Sequence, residues 1–374
     1  MLFNSIEYFI FLPIVFVLFW SLNGKKLKYQ NFFLLIASYT FYGWWDWRFL
    51  LLIILSTIVD FFVSKSIYNV NSEIIKKRLL LLSLIVNLGV LGFFKYCNFF
   101  IDTWIQFWNL DSNNVSINYL NIILPVGISF YTFQTLSYTI DVYKKKLKPT
   151  NDLLHFAVFV ALFPQLVAGP IERAKNLLPQ ISSRKLFSFH YCKEGVMQIG
   201  VGLVKKMVIA DTLSLYVDSI YASYSVHNSI TLIFATWIYA IQIYCDFSGY
   251  SDIAIGTAKL FNLSFVNNFN RPYLSASITE FWRRWHLSFS SWLRDYLYIP
   301  LGGNRNGKIK TYRNLLITML LGGLWHGISW NFVIWGWFHG IMLSIEKYYL
   351  QNVEYSLVKN IHIKRFITFK NSKK

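Results

Sequence analysis

Two histidines stand in apolar, aromatic surroundings where an ionisable side chain could do chemistry. His326 lies within "LLGGLWHGISWNFVIWGWFHG", residues 320–340, a stretch long enough to cross a hydrocarbon layer as a helix. On that helix Trp330 would follow one turn later, on the same face as His326. An ionisable group at membrane depth is costly, and the neutral imidazole favoured there can accept a proton. His326 is therefore predicted to be a general base, with a structural hydrogen-bonding role as the alternative.

The second histidine, His286, lies in "FWRRWHLSF" among cationic and aromatic residues. On a continuous helix Arg283 would lie one turn before it and Ser290 one turn after it. The arginines and tryptophans of this patch are Arg283, Arg284, Arg294, Trp282, Trp285 and Trp292. Because arginine binds phosphate or carboxylate through paired hydrogen bonds, the patch predicts an anion-binding surface. An interfacial helix whose arginines meet lipid headgroups explains the same residues equally well.

The remaining polar candidates have simpler explanations. His339, near the end of an apolar run, has no obvious partner and is expected to be structural. Four other histidines fall in loops or at span ends, namely His155, His190, His227 and His362. In "YCDFSGYSDIAIG" the carboxylates Asp246 and Asp252 are expected to cap a following helix, with a metal site as the weaker alternative. The sequence has no P-loop, GxGxxG, HExxH or GxSxG motif, so a transfer reaction would use direct attack with a histidine base.

Composition identifies the environment of these residues. Of 374 residues, 55% are apolar and 14% are charged, against about 25% charged in soluble proteins. The chain is therefore predicted to be a polytopic membrane protein. The lysines and arginines behind its net charge of +18 lie mostly in short clusters between apolar runs. This pattern indicates that they set the orientation in the membrane and do not bind nucleic acid. Three cysteines lie singly, so neither a disulfide framework nor a zinc knuckle is predicted.

The apolar runs predict the membrane spans and their orientation. Nine runs approach the roughly 20 residues that a spanning helix needs: 5–22, 31–45, 48–64, 79–100, 119–140, 195–222, 229–246, 312–333 and 335–350. The first is expected to be a span and not a cleaved signal, because it lacks a basic start and a cleavage site. Lysine-rich loops follow the first, third and fifth runs and are predicted to be cytoplasmic. The loop at 102–118 has two aspartates and no basic residue, which places it and the N-terminus outside.

Two further apolar segments do not fit the alternation of loops between the cytoplasmic side and the outside. Residues 153–176 have basic segments on both sides, and Pro164, Gly169 and Pro170 would interrupt a helix, so this segment is predicted to enter the membrane and return. Residues 278–303 are aromatic but too charged to face lipid, and are predicted to lie at the interface or to dip into the protein core. We predict one membrane domain at 1–351 and a basic cytoplasmic tail at 352–374.

Four long motifs carry a resemblance to a known family. They are "LFPQLVAGPIER" (162–173), "IYCDFSGYSDIAIG" (243–256), "NRPYLSASITEFWRRWHLSFSSWLRDYLYIPLGGNR" (270–305) and "LLGGLWHG" (320–327). In this order they resemble the membrane-bound O-acyltransferase family, and most of all its alginate O-acetyltransferase branch. The likeness covers nearly the whole chain, including its opening residues. Members of that branch carry further hydrophobic spans beyond the position of Glu346, where this sequence has its basic tail.

The resemblance implies a fold, a site and a reaction. The fold would be all-α, with about 9–11 transmembrane helices and re-entrant segments around a central tunnel. His326 and His286 would be catalytic, and the substrate-binding candidates are Arg283, Arg284, Arg294, Trp325 and Trp285. An acyl group, with acetyl favoured, would pass from a cytoplasmic thioester, acetyl-CoA or an acyl-carrier thioester, to hydroxyls of an extracytoplasmic polysaccharide. No bound cofactor or metal is expected.

The resemblance also implies partners and leaves alternatives open. The expected setting is the bacterial cytoplasmic (inner) membrane, with membrane lipids, the polysaccharide and an extracytoplasmic acetyl-transfer protein as partners, and no nucleic acid. D-alanyl transfer to teichoic acid is the alternative within the family, and the longer alginate-like match near the N-terminus favours acetylation. A transporter for a lipid-linked sugar and an inactive scaffold are the alternatives outside it.

Overall fold

Helices make up the regular structure of this chain. The computed structural model describes residues 1–108, 123–167 and 169–371, with side chains described up to residue 350 except at 106. Within these ranges there is no strand, which confirms the all-α prediction. The predicted loop at 102–118 and the start of the run at 119–140 lie largely outside the described residues. The central tunnel stays a prediction.

The helices, in chain order, are α1 (Ile6–Ser21), α2 (Leu27–Asp46), α3 (Leu50–Asn69), α4 (Glu73–Phe107), α5 (Ile128–Tyr143), α6 (Leu153–Ala161), α7 (Phe163–Leu166), α8 (Ala174–Ser182), α9 (Phe189–Leu203), α10 (Asp211–Ala222), α11 (Ser229–Leu260), α12 (Ile278–Trp282), α13 (Leu287–Leu293), α14 (Lys308–His326) and α15 (Trp330–Asn371). Two π-helices, Val204–Ala210 and Arg294–Tyr298, continue α9 and α13. Three segments of the described chain are long and apolar enough to cross a bilayer: Leu27–Asn69, Glu73–Ile105 and Ser229–Leu260.

The chain divides into two compact units, Met1–Phe269 and Asn270–Lys374. The first unit contains α1 to α11, and the second contains α12 to α15. The backbone of α15 remains helical to Asn371, through most of the predicted tail. The single domain at 1–351 and the tail at 352–374 stay predictions.

The segment 153–176 forms the interior of the first unit. α6 ends at Ala161, the backbone of Leu162 leaves the helical region, and the four-residue α7 contains Pro164. At the start of α7, the ring of Phe163 packs against Phe11, Phe41 and Phe261, with centroids 5.4–5.7 Å apart. The predicted interruption of the helix is confirmed, and the irregular backbone is buried within protein, as membrane depth would require. The return to the same membrane face stays a prediction.

The carboxylates of the 244–256 motif do not cap a helix. α11 runs without a break from Ser229 to Leu260, so Asp246 and Asp252 both lie within it, and the capping prediction was wrong. Asp252 accepts a hydrogen bond from Lys205 Nζ at 2.6 Å, and Asp246 pairs with Lys206 Nζ at 2.6 Å. Both lysines belong to the first π-helix. Each carboxylate thus has a cationic partner, which offsets the cost of placing charge among apolar helices.

Glycines set the distance between α9 and α11. An added Cβ at Gly202 would lie 2.7 Å from the Gly249 carbonyl oxygen, and one at Gly256 would lie 2.6 Å from that of Gly195. Any side chain at these contacts would force the backbones apart. By contrast, a Cβ at Gly200 on the same helix meets nothing within 4 Å.

A buried polar cluster joins α3, α4 and α5. The carboxylate of Asp60 is fully buried and accepts hydrogen bonds from Ser83, from Asn87 Nδ2 at 2.8 Å and from Thr139 at 3.2 Å. Asn87 Oδ1 in turn accepts from Ser56 Oγ at 2.7 Å. Because buried polar groups are stable only when paired, this cluster fixes the register of the three helices.

The glycine contact predicts opposite effects for two similar substitutions. Gly202→Ala should lower the midpoint of thermal unfolding in detergent, since backbone atoms of α11 must move. Gly200→Ala should leave it unchanged or raise it, because alanine is favoured over glycine in a helix by about 1 kcal/mol. Circular dichroism melts of the two purified variants check this, and equal midpoints would contradict the close packing.

The polar cluster predicts a large loss of stability on removing its acceptor. Asp60→Ala leaves the buried donors from Ser83, Asn87 and Thr139 without their partner and should cost about 2–5 kcal/mol. Ser66→Ala, at an exposed position of the same helix, is the matched control and should cost less than about 0.5 kcal/mol. Thermal unfolding of both variants gives the comparison, and an Asp60→Ala midpoint equal to the control would show that the cluster carries no stability.

Candidate active site

His326 lies at the end of a helix and not within a span. α14 ends at His326, Gly327 is extended (φ −163°), and α15 begins at Trp330. The predicted run at 312–333 therefore breaks here, and Trp330 does not share a helix face with His326. An added Cβ at Gly327 would lie 2.0 Å from the ring of Phe332, so close packing favours glycine here. The end of a helix, where the chain leaves the hydrogen-bond ladder, is an accessible place for a reactive side chain.

His286 also lies at a helix boundary. α12 ends at Trp282, and His286 precedes the first residue of α13 with a left-handed backbone, φ 44° and ψ 56°. Arg283 and Ser290 are thus not on one continuous helix with it, which corrects the prediction. A left-handed backbone costs a residue other than glycine about 1–3 kcal/mol, and such strain concentrates at functional sites.

The two histidines meet the same pair of aromatic rings. The imidazole of His286 has its centroid 5.2 Å from Phe289 and 5.8 Å from Trp325. The imidazole of His326 is 5.8 Å from Phe289 and 4.8 Å from Trp325. Phe289 and Trp325 stack on each other at 4.0 Å. The structure therefore places together the two histidines that the sequence separates by 40 positions.

The two histidines differ in accessibility. His286 is 0% exposed, whereas His326 retains intermediate exposure. Of the two imidazoles, His326 is therefore the more accessible.

A second set of rings continues the cluster on the other side of His326. The indole of Trp335 lies edge-on to His326 at 5.1 Å, and His339 is 4.6 Å from Trp335 and 5.2 Å from Trp282. The expectation that His339 lacks a partner was wrong. Trp335 and Phe289 were not singled out from the sequence. The spacing of Trp335 and His339, four residues apart on α15, was the available signal.

The arginines of the predicted patch divide into two groups. Arg283 and Arg294 line a cavity of about 350 Å³ together with Ser290, Ser291 and Thr318, whose hydroxyls donate to backbone carbonyls. A second cavity of about 400 Å³ shares Arg283 with it and adds Asn304 and Lys347. Guanidinium and ammonium groups are of the kind that bind phosphate, and the guanidinium of Arg294 is already paired with Asp295 at 2.9 Å.

Arg284 has a different position. Its guanidinium forms an ion pair with Glu280 at 2.5 Å, one turn earlier, and it lines neither cavity. The Ala276 N–H donates to Glu280 and, with Arg284, holds the pKa of that carboxyl below its usual range. Trp285 stacks on Phe281 at 5.6 Å, while Trp325 is the tryptophan between the histidines.

Metal ligation is not supported by the arrangement of side chains. Among the described residues no group of three His, Cys, Asp or Glu side chains could hold a metal ion. The chemistry available at the site is that of imidazole, indole and guanidinium groups.

Several known proteins are similar to this chain in sequence. The probable alginate O-acetylase AlgI of Pseudomonas aeruginosa is 46% identical over 350 residues, covering 92% of this chain and 65% of that protein. The peptidoglycan O-acetyltransferase of Helicobacter pylori is 37% identical over 378 residues, covering 93% of this chain and 71% of that protein. The teichoic acid D-alanyltransferase of Bacillus subtilis is 24% identical over 238 residues, covering 61% of this chain and 60% of that protein.

The family assignment follows from the extent of these matches. The chain spans about 65% of the length of the alginate O-acetylases of Pseudomonas aeruginosa and Pseudomonas syringae. The model of the membrane-bound O-acyltransferase family matches residues 144–371, which include His286, His326 and both cavities. The chain belongs to the membrane-bound O-acyltransferase family.

Proposed function

We propose that this protein transfers an acetyl group from a cytoplasmic thioester to hydroxyls of an extracytoplasmic polysaccharide, with His326 as general base. The observation that supports this most is the convergence of His286 and His326 on Phe289 and Trp325. An accessible imidazole backed by a buried one and enclosed by aromatic rings suits proton transfer away from bulk water.

The reaction needs one base and no covalent intermediate on the protein. His326 takes the proton of the acceptor hydroxyl while its oxygen attacks the carbonyl carbon of the thioester. The carbon–sulfur bond then breaks, the thiolate leaves, and the proton held by His326 passes to its sulfur. The products are an ester and a free thiol. Aromatic walls limit the access of water, which would otherwise hydrolyse the thioester.

The remaining predicted residues hold the donor. Acetyl-CoA and acyl-carrier thioesters both place phosphate groups at the far end of the thiol-bearing arm. Arg283 and Arg294 in the adjoining cavities would contact those phosphates, and Lys347 adds a third cation. His286 would orient or stabilise the donor, and Trp325 would form part of the wall around the acyl group. Arg284, paired with Glu280, would stabilise the conformation of the chain around α12.

Membrane orientation supports the direction of transfer. Lys25 and Lys26 lie between α1 and α2, and Lys28 is the second residue of α2. Basic loops stay cytoplasmic, so the N-terminus would be outside, in the inner membrane of a bacterium. The acceptor and an acetyl-transfer partner protein would then be extracytoplasmic. The names of the acetyl-transferring relatives favour acetyl over D-alanyl as the group transferred.

Loss of the base should abolish ester formation. In a host that lacks its own enzyme, the full chain should restore acetyl ester on surface polysaccharide, and His326→Ala at matched membrane levels should reduce it by at least about 10²-fold. His190→Ala, at an exposed position on α9, should behave as the unaltered chain does. Mass spectrometry of the released acyl group makes the measurement.

Each alternative has a separate signature in that experiment. Equal ester from His326→Ala would remove His326 as the base. Released D-alanine in place of acetate would identify the teichoic acid reaction. Transport of a lipid-linked sugar by the chain, with no ester formed, would identify a transporter.

Trp335 should act as a positioning residue for His326. Its edge-on contact fixes the imidazole ring, so Trp335→Ala should lower kcat about 10-fold or more with little change in KM. Trp337→Ala, an exposed tryptophan two residues along α15, is the matched control. Trp335→Phe should recover part of the rate. A changed KM with unchanged kcat would instead assign Trp335 to substrate binding.

A further inference from the structure

A carboxylate on α15 binds the first turn of α12 in the second unit. Glu346 Oε2 accepts a hydrogen bond from the Thr279 backbone N–H at 2.9 Å and another from the Thr279 hydroxyl at 3.2 Å. The first N–H groups of a helix have no partner within that helix. The Glu346 carboxylate therefore satisfies a donor that α12 cannot satisfy by itself.

The position of α12 depends on contacts of this kind. The helix has five residues, Ile278–Trp282, and a helix this short is not stable alone. Its last residue, Trp282, packs against the rings of Trp335 and His339 on α15, with centroids 5.6 Å and 5.2 Å away. α12 is therefore attached to α15 near both of its ends.

The contacts on α15 follow one face of that helix. Trp335, His339 and Glu346 are separated by four and seven residues, which places them on the same side. Leu343, which lines both arginine-containing cavities, lies on this face between His339 and Glu346. Trp335 also contacts His326, so one helix face carries both the contact to His326 and the contacts to α12.

The placement of Arg283 depends on this attachment. Arg283 follows α12 directly, and its backbone N–H donates to the Thr279 carbonyl at 3.2 Å and to the Glu280 carbonyl at 3.0 Å. Its side chain lines both cavities, and Thr279 lines them as well. A shift of α12 would therefore move a cation and part of the wall of both cavities together.

We propose that Glu346 is a positioning residue for the acyl donor. By holding Thr279 it keeps α12, and with α12 the guanidinium of Arg283, in the place that receives the phosphate end of the donor. The inference rests on the proposed function for the assignment of these cavities to the donor. The property required of Glu346 is an oxygen that accepts two hydrogen bonds, which a glutamine amide also has and alanine lacks.

Donor binding to the purified full chain in nanodiscs tests the proposal. The probe is S-acetyl-phosphopantetheine, which carries the phosphate and the thioester that acetyl-CoA and acyl-carrier thioesters share, and isothermal titration gives its Kd. Glu346→Ala should raise this Kd at least about 10-fold, and Glu346→Gln should change it less than about 2-fold. Ser344→Ala is the matched control, because the Ser344 hydroxyl donates to the Gly340 carbonyl of its own helix and lines neither cavity. It should leave the Kd unchanged.

A second set of measurements separates local attachment from general destabilisation. Hydrogen exchange of the Thr279 amide, followed by mass spectrometry, should become at least about 10-fold faster in Glu346→Ala and stay slow in Glu346→Gln. Thr279→Val removes one of the two bonds and should weaken probe binding less than Glu346→Ala does. The double variant should bind the probe no more weakly than Glu346→Ala alone, because the bond to the hydroxyl is already lost.

The outcomes separate this proposal from the proposed reaction. Unchanged binding or unchanged exchange in Glu346→Ala, an equal loss in Glu346→Gln or Ser344→Ala, or additive losses in the double variant would overturn the role of Glu346. Absence of probe binding by the unaltered chain would overturn the donor site and the role of Glu346 with it. Binding that depends on Glu346, in a chain that forms no ester on surface polysaccharide, would support this role and overturn the proposed reaction.

Discussion

The close approach of α14 and α15 is the constraint on which the active-site cluster depends. An added Cβ at Gly323 would lie 2.2 Å from the Phe332 carbonyl oxygen, and one at Gly336 would lie 2.4 Å from that of Met319. At this distance Trp335, the neighbour of Gly336, reaches His326 from the facing helix. A wider separation would leave the imidazole with contacts from one side alone. The glycines therefore determine where the His326 imidazole points.

Glycines also bring helices close together in the first unit, where they help to specify which helix faces meet. Glycines bring α9 and α11 into backbone contact, and paired polar groups join other helix faces, as in the Asp60 cluster and the lysine–aspartate pairs. In a protein whose outer surface faces hydrocarbon, apolar burial discriminates poorly between inside and outside. Close contact and satisfied polar groups then specify which helix faces meet.

Sequence reasoning succeeded where the determinant is local. Proline is tolerated in the first turn of a helix and disfavoured further in, and Pro164 lies in the first turn of α7. The interruption of residues 153–176 was therefore predictable, and the four motifs identified the family. It failed where a feature depends on residues far apart in the sequence or on the path of the backbone. The pairing of Lys205 with Asp252 joins residues 47 positions apart. The end of α14 at His326 was missed because apolar residues continue past Gly327, and hydropathy carries no information about where the backbone turns. The role of Trp335 depends on the α14–α15 contact.

The backbone at His286 limits which amino acids this position accepts. Left-handed conformation favours glycine, asparagine, aspartate and histidine, although Lys145 and Arg271 also adopt it in this chain. Contact with Phe289 and Trp325 then favours a ring, and histidine is the one member of that set that has one. A substitution here would therefore change the path of the chain as well as the ring contacts.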